Sequence, residues 1–284
     1  MTLPERVGII GGGRMGAGIA HAFLLAGSDV TLVERDASSG DAARERIAAS
    51  LRRSLERGAT ARTPAEVASR LHVTTDADDL RGSELVVEAV FEDRDVKAAA
   101  LRRAEAALGA DAVLASNTSS IPIGDLAAAL DRPARFLGLH FFNPVPSSAL
   151  VEVVIGAETD PALAETARGW VAALGKAPVV VRDAPGFASS RLGVALALEA
   201  IRMVEDGVAS AADIDTAMEL GYRHATGPLR TTDIVGLDVR LGIAEQLHAA
   251  LGERFAPPEL LRRLVAEGHL GRKSGRGFYE WSTG

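Results

Sequence analysis

The chain has 284 residues, 47% hydrophobic and 24% charged, enough apolar content for one large or two ordinary domains with real cores. Its net charge of -7 argues against nucleic acid or an anionic membrane as the main partner, while local basic patches can still hold a small anion. No cysteine is present, which excludes disulfides, thiolate zinc sites and cysteine nucleophiles.

The opening MTLPERVGII lacks the basic start and apolar core of a signal peptide, and no apolar run approaches the ~20 residues of a membrane helix. A cytoplasmic protein is expected. Among 31 basic residues only Lys97, Lys176 and Lys273 are lysine. Either composition has drifted, or these positions need a compact ammonium.

In chain order, RVGII reads as a strand, GGGRMG as a turn, and AGIAHAFLLAG as a helix ending at Gly27. DVTLVERD reads as a second strand, so the start is a βαβ unit with parallel strands. Residues 41–57 form a polar helix with Ile47, Leu51 and Leu55 on one side and Arg46, Arg53 and Arg57 on another. TPAE at 63–66 is a capping box with proline at the first helical position. ELVVEAV and AVLAS are buried-type strands flanking a helix over 94–107. RFLGL, LVEVV and APVVV supply further strands, with a helix near 161–174.

Such alternation predicts an α/β fold with a doubly wound, mostly parallel Rossmann-type sheet. After RDAPGF (182–187) no convincing strand follows, so residues 1–184 are expected to form the sheet domain and 185–284 an all-helical domain for substrate and dimerisation. FASSRLGVALALEAIRMVEDG is apolar nearly all round, as for a helix buried on every side or at a subunit interface.

Gly11, Gly13 and Gly16 satisfy G-x-G-x-x-G, with Arg14 and Met15 between them. The pattern alone is weak, but here a strand precedes it, a helix follows, and an acid, Glu34, stands eighteen residues beyond Gly16. Gly11 allows the tight turn, Gly13 lets backbone approach a pyrophosphate, and Gly16 permits close packing at a helix N-terminus. A carboxylate at Glu34 accepts bonds from a ribose diol and repels a 2′-phosphate, which favours NAD over NADP; Arg35 is the reservation.

LGLHFFNPVP (137–146) is an apolar run that stops at an imidazole, with prolines that cannot enter a sheet interior. LVEVV buries the charge of Glu152, which demands a partner. By themselves these features leave His140 either a packed core residue or a base.

GGGRMG, EAVFED, SNTSS, LGLHFFNPVP, LVEVV, APGF and GRKSGRGFYEW come in an order and spacing that resemble the 3-hydroxyacyl-CoA dehydrogenases, close to the 3-hydroxybutyryl-CoA type, over nearly the whole chain. The resemblance implies oxidation of a (3S)-3-hydroxyacyl-CoA to the 3-ketoacyl-CoA with NAD, in fatty-acid β-oxidation, by a homodimer joined through its second domain. It implies His140 as base, Glu152 as its acid partner, and Ser119 as hydrogen-bond partner of the reacting oxygen. Asn143 then lies near the nicotinamide end, and Glu92, Lys97 and Lys273 are cofactor contacts. Without the resemblance, Ser119 reads as an ordinary turn serine, and Glu92 with Lys97 as a solvated charge pair at a helix start. Arg53 and Arg57 are candidates for the CoA phosphates, since Arg57 falls where the family has a CoA-contacting lysine; a solvated face is the plain alternative.

Ser190 departs from the family, which has asparagine there to help hold the substrate; its hydroxyl is shorter and has one donor hydrogen. Three other readings stay open. One is a 3-hydroxyadipyl-CoA dehydrogenase, which would need a basic residue at the acyl end. Another is a sugar-acid dehydrogenase that uses no CoA. The third is a non-enzymatic protein that keeps an enzyme's fold, as lens crystallins do.

Overall fold

The computed structural model describes residues 2–60 and 62–282. The chain divides into two compact units, one ending at Ala184 and the other beginning at Pro185. No helix among the described residues is long and apolar enough to cross a membrane.

The first unit runs β1 (Arg6–Ile10), α1 (Arg14–Ala26), β2 (Asp29–Val33), α2 (Ala37–Glu56), α3 (Pro64–Ala68), β3 (Leu71–Thr74), β4 (Leu85–Glu88), α4 (Arg94–Ala107), β5 (Val113–Ser116), α5 (Ile123–Ala127), β6 (Phe136–Phe141), β7 (Leu150–Ile155), α6 (Ala162–Ala173) and β8 (Ala177–Arg182). The strands form one sheet in the order β3-β2-β1-β4-β5-β6-β7-β8. All neighbours are parallel except β6 and β7. β4, β5 and β6 are buried along their whole length, as expected for central strands covered by helices on both faces. Ile9, Leu32, Val87, Ala115, Leu139 and Val153 belong to the core that these strands build.

Local chemistry explains the boundaries. Gly27 ends α1 in the left-handed region at φ 104°, with its N–H on Phe23 and Leu24 carbonyls. Asp36 caps α2 by accepting from the Ser39 N–H, so that helix starts several residues before the expected position 41 and stops one short of Arg57. The TPAE capping box is formed in both directions by Thr63 and Glu66. β3 (LHVT) carries no strong sequence signal: it has four residues, and only Val73 is buried.

The second unit is helical: α7 (Ser189–Glu205), α8 (Ala211–Tyr222), α9 (Pro228–Val235), α10 (Leu237–Leu251) and α11 (Glu259–Ala266). Its core includes Val194, Leu198, Ile201, Leu229, Leu237 and Leu261. Of the two settings expected for α7, burial on every side within the chain is not what the second unit provides. The chain buries one face of it, along Val194, Ala197, Leu198 and Ile201, and leaves Leu192 71% exposed. The stretch TGPLRTTDIVGLD is two helices broken at Gly236, whose φ of 109° no side-chain-bearing residue adopts cheaply.

The C-terminal GRKSGRGFYEW segment is held by buried acids. Asp233 accepts from the N–H groups of Phe278 and Tyr279 and from Trp281 Nε1, each within 2.9 Å. Asp215 accepts from the Leu229 and Arg230 N–H groups and from the Tyr279 hydroxyl. Burial, followed by that bond to Asp215, pushes the Tyr279 phenol up.

Candidate active site

Parallel strands deliver their carboxyl ends to one edge of the sheet, and the order reverses between β1 and β4. A crevice at such a reversal is where doubly wound sheets hold ligands. Two clefts open in the first unit there, and both are lined by Ala89 and Val90 just past β4.

The first cleft, about 560 Å³, is lined by Gly11, Gly13, Glu34, Arg35 and Arg46 among others. Gly11 has φ +88° and donates its N–H to the Val33 carbonyl. At Gly16 a Cβ would sit 1.8 Å from the Gly11 oxygen, so the turn folds back on the first turn of α1 and only glycine fits. Nothing lies within 4 Å of where a Gly13 Cβ would be, so backbone is open to a phosphate at the helix N-terminus. These three positions fit a dinucleotide.

Glu34 follows β2, accepts the Gly12 N–H at 2.6 Å through Oε1, and thereby braces the glycine turn from the side. Arg35 points to Asp36, 3.0 Å away, and both are exposed. Arg14 is exposed at the start of α1, while Met15 lines the second cleft.

The second cleft, about 340 Å³, brings together Met15, Glu92, Lys97, Ser119, His140 and Asn143, all of them named from the sequence. His140 is the second-last residue of β6 and lies directly opposite Glu152 on antiparallel β7. Nδ1 of His140 and Oε2 of Glu152 are 2.8 Å apart, and both side chains are buried. The partner that Glu152 demands is therefore supplied by strand register. Phe142 tilts against the imidazole, with ring centroids 4.4 Å apart. β6 continues one residue past His140, to Phe141, whose N–H donates to Asn117 Oδ1.

Glu92 and Lys97 are not a solvated pair. Lys97 is 1% exposed, with Nζ 2.8 Å from Glu88 Oε1 and 3.2 Å from Glu92 Oε2. Glu88 is wholly buried at the end of β4 and takes the Ser116 hydroxyl on its other oxygen at 2.5 Å. Glu92 Oε1 accepts from the Thr118 hydroxyl at 2.6 Å and from the Ser119 and Ser120 N–H groups at 3.0 and 3.2 Å. Burial pushes the Glu92 carboxyl up, but Lys97 and the hydroxyl and amide donors outweigh it and hold it below the usual carboxylate range. The carboxylate thus fixes the loop that carries Ser119.

Lys176 donates to the carbonyls of Val145 and Ser148, at 2.7 and 2.5 Å, and ties down the loop after Asn143. Two of the three lysines therefore hold site loops with a point charge that reaches carbonyls or paired carboxylates, a task suited to ammonium.

The other predicted residues belong to the region of α2 and to the second unit. Arg53 and Arg57 are exposed at the end of α2 and just after it. Arg46, from the same predicted face, instead donates to the Gly12 carbonyl. Lys273 and Ser190 belong to the second unit, where Lys273 Nζ is 2.6 Å from the Asp238 carboxylate and Ser190 sits in the first turn of α7.

Sequence reading missed Glu88, Asn117 and Thr118. Glu88 was within reach: it is an acid inside the apolar run ELVVEAV, the same signal that singled out Glu152. Asn117 and Thr118 act on backbone groups, which only the folded loop reveals.

Residues 6–184 match the model of the 3-hydroxyacyl-CoA dehydrogenase NAD-binding domain, and residues 186–281 the C-terminal domain of the same family. A 3-hydroxybutyryl-CoA dehydrogenase of Mycobacterium tuberculosis is 45% identical over 281 residues, 98% of each chain. A probable 3-hydroxybutyryl-CoA dehydrogenase of Deinococcus radiodurans is 42% identical over 97% of this chain and the whole of that one. The crystal structure of (S)-3-hydroxybutyryl-CoA dehydrogenase from Ralstonia eutropha superposes with a TM-score of 0.93 at 37% identity, over 99% of this chain and all of that one.

Proposed function

The chain belongs to the 3-hydroxyacyl-CoA dehydrogenase family, and we propose that it oxidises a short-chain (3S)-3-hydroxyacyl-CoA, of the 3-hydroxybutyryl-CoA kind, to the 3-ketoacyl-CoA. The observation that carries this reading is the His140–Glu152 pair, set by strand register, on the same cleft as Ser119.

NAD, when bound, supplies the hydride acceptor. The protein's residues do the rest. Glu152 accepts the Nδ1 proton of His140, so the neutral ring carries its lone pair on Nε2. Nε2 takes the proton of the C3 hydroxyl as hydride leaves C3, and Glu152 stabilises the imidazolium that results. The Ser119 hydroxyl holds the reacting oxygen, and Glu92 holds Ser119 in place through its backbone N–H. Asn143, exposed at the end of the cleft, faces the nicotinamide end. Glu34 takes the adenosine ribose diol and the glycine turn takes the pyrophosphate.

Arg53 and Arg57 contribute positive charge for the CoA phosphates, supported by their exposure at the end of one helix. The same reading puts the protein in the cytoplasm, in fatty-acid β-oxidation, as a homodimer through its second unit. Exposed Leu192, Leu220 and Tyr222 of that unit support the dimer.

The test is NADH formation with a panel of (S)-3-hydroxyacyl-CoAs, run in both directions. The highest kcat/KM is expected on short acyl chains. NAD binding without turnover would replace this reading with a non-enzymatic one, and oxidation of free hydroxy acids alone would favour the CoA-independent reading.

A further inference from the structure

Asn117 uses only half of its carboxamide within the fold. It follows β5, and its backbone N–H donates to the Glu88 carbonyl at the end of β4. On the other side its Oδ1 accepts the Phe141 N–H of β6 at 2.8 Å. The residues after it are fixed as well: the Thr118 N–H donates to the Ser116 hydroxyl, and the Ser119 N–H to Glu92. Asn117 is thereby braced from both neighbouring strands.

An N–H donor meets the oxygen end of an amide, so the Nδ2 end, with its two donor hydrogens, is turned away from β6. Among the described residues no acceptor takes a bond from Nδ2, and it is not one of the enclosed polar atoms without a partner. Asn117 lines the second cleft, and Nδ2 is the part of its amide left for that cleft. The brace alone needs only an acceptor, which a carboxylate or hydroxyl also provides. A carboxamide adds a donor whose direction the brace sets.

Strand order says what passes this donor. β1, β4, β5 and β6 are successive in the sheet, with neighbours about 4.8 Å apart. Register puts Ile10, Glu88, Ser116 and Gly138 in one row across them. Just beyond that row stand, in the same order, the glycine turn, Ala89 with Val90, Asn117 and His140. A dinucleotide with its pyrophosphate at the glycine turn and its nicotinamide at His140 carries its second ribose across the ends of β4 and β5. Ala89 and Val90 line both clefts and offer no polar side chain there. Asn117 is the next residue along the edge.

We propose that Asn117 is a cofactor-binding residue, whose Nδ2 donates to a hydroxyl of the nicotinamide-side ribose while its Oδ1 holds the end of the strand that carries His140. The placement of the nicotinamide beside His140 rests on the dehydrogenase reading. One side chain then ties the position of the ribose to that of the base, and so sets the distance over which hydride and proton leave the substrate.

The experiment measures the Kd of the full chain for ADP-ribose, which ends in that ribose, and for ADP, which stops at the pyrophosphate, by calorimetry. The wild type is expected to bind ADP-ribose at least tenfold more tightly than ADP. Asn117→Ala should cut that preference at least fivefold and leave the Kd for ADP within twofold. Asn117→Leu, close to asparagine in size and without donor or acceptor, should do the same and serves if the alanine variant does not fold. Equal wild-type affinities for the two ligands overturn the proposal without any variant. An unchanged preference in the variants, with kcat lowered, leaves Asn117 a brace for β6 and overturns it. An unchanged preference with KM raised for the acyl-CoA alone gives the donor to the substrate and also overturns it. Absence of turnover on every hydroxyacyl-CoA overturns the dehydrogenase reading instead, and the ADP-ribose to ADP ratio still decides the ribose contact.

Discussion

His140 and Glu152 are direct cross-strand partners, the antiparallel pairing of β6 with β7 places them opposite one another, and their side chains meet at 2.8 Å. Glu152 is wholly buried, and the imidazole beside it partners its charge. Glu152→Gln keeps the length and removes the charge that holds the tautomer. It is expected to lower kcat by about 10²–10⁴-fold, as when the acid behind a catalytic histidine is neutralised. His140→Gln should lower it at least as far. In both variants the Kd for NAD, measured by fluorescence titration, should stay within a few-fold of wild type. Preserved turnover in His140→Gln would return the imidazole to a packing role.

Lys97 and Glu88 form a second buried pair, and its two members are not equally replaceable. Lys97→Met strands the carboxylates of Glu88 and Glu92, one of them with no solvent at all. Breaking a buried pair from one side costs about 3–5 kcal/mol, whereas removing both charges is often near neutral. Urea unfolding should show a large loss for Lys97→Met and a partial recovery for the Glu88→Gln/Lys97→Met double variant. Additive losses in the double variant would mean the pair is not coupled.

Cofactor choice turns on Glu34. Its carboxylate braces Gly12 and lies on the cleft beside Arg35. Glu34→Gln removes the repulsion toward a 2′-phosphate and weakens the ribose bonds. The kcat/KM ratio of NAD to NADP is expected to fall by about tenfold or more, since a bond to a charged acceptor is worth roughly 1.5–3 kcal/mol. A wild-type enzyme that uses both cofactors equally well would remove the role given to Glu34.

Acid stability should report on His21. This residue is buried on α1 with Nε2 2.9 Å from Ser54 Oγ. Burial first, then Lys176 and Arg53, lowers its pKa to about 4. The native state therefore keeps it neutral where the unfolded chain, at its ordinary value near 6.5, already binds a proton. Stability is full above about pH 6.5 and is lost as pH falls toward 4, by a total of about 2 kcal/mol once solvent screening is allowed for. His21→Gln, which retains a donor for Ser54 and does not titrate, should flatten the stability profile in that window. An unchanged profile would show that His21 protonates as freely in the fold as out of it.

Much of this protein was decided in its local sequence. The strand–glycine turn–helix unit, the acid after β2 and the end of alternation near residue 184 follow from hydrophobic period and from residues that only certain backbone shapes tolerate. Gly11 at φ +88° and Gly16 against the Gly11 carbonyl are local facts of that kind. Glu152 announced a partner by its setting, because a charge in an apolar strand is too costly to stand alone.

Identity of the partner was decided by tertiary structure. His140 meets Glu152 through the antiparallel register of β6 and β7, and a one-residue slip would turn one of the two side chains to the opposite face. Glu88, Glu92 and Lys97 form one network because β4, β5 and α4 converge, joining Lys97 to Ser116 across nineteen residues of chain. Sequence sets which groups must be satisfied; the packing of distant segments decides which groups satisfy them.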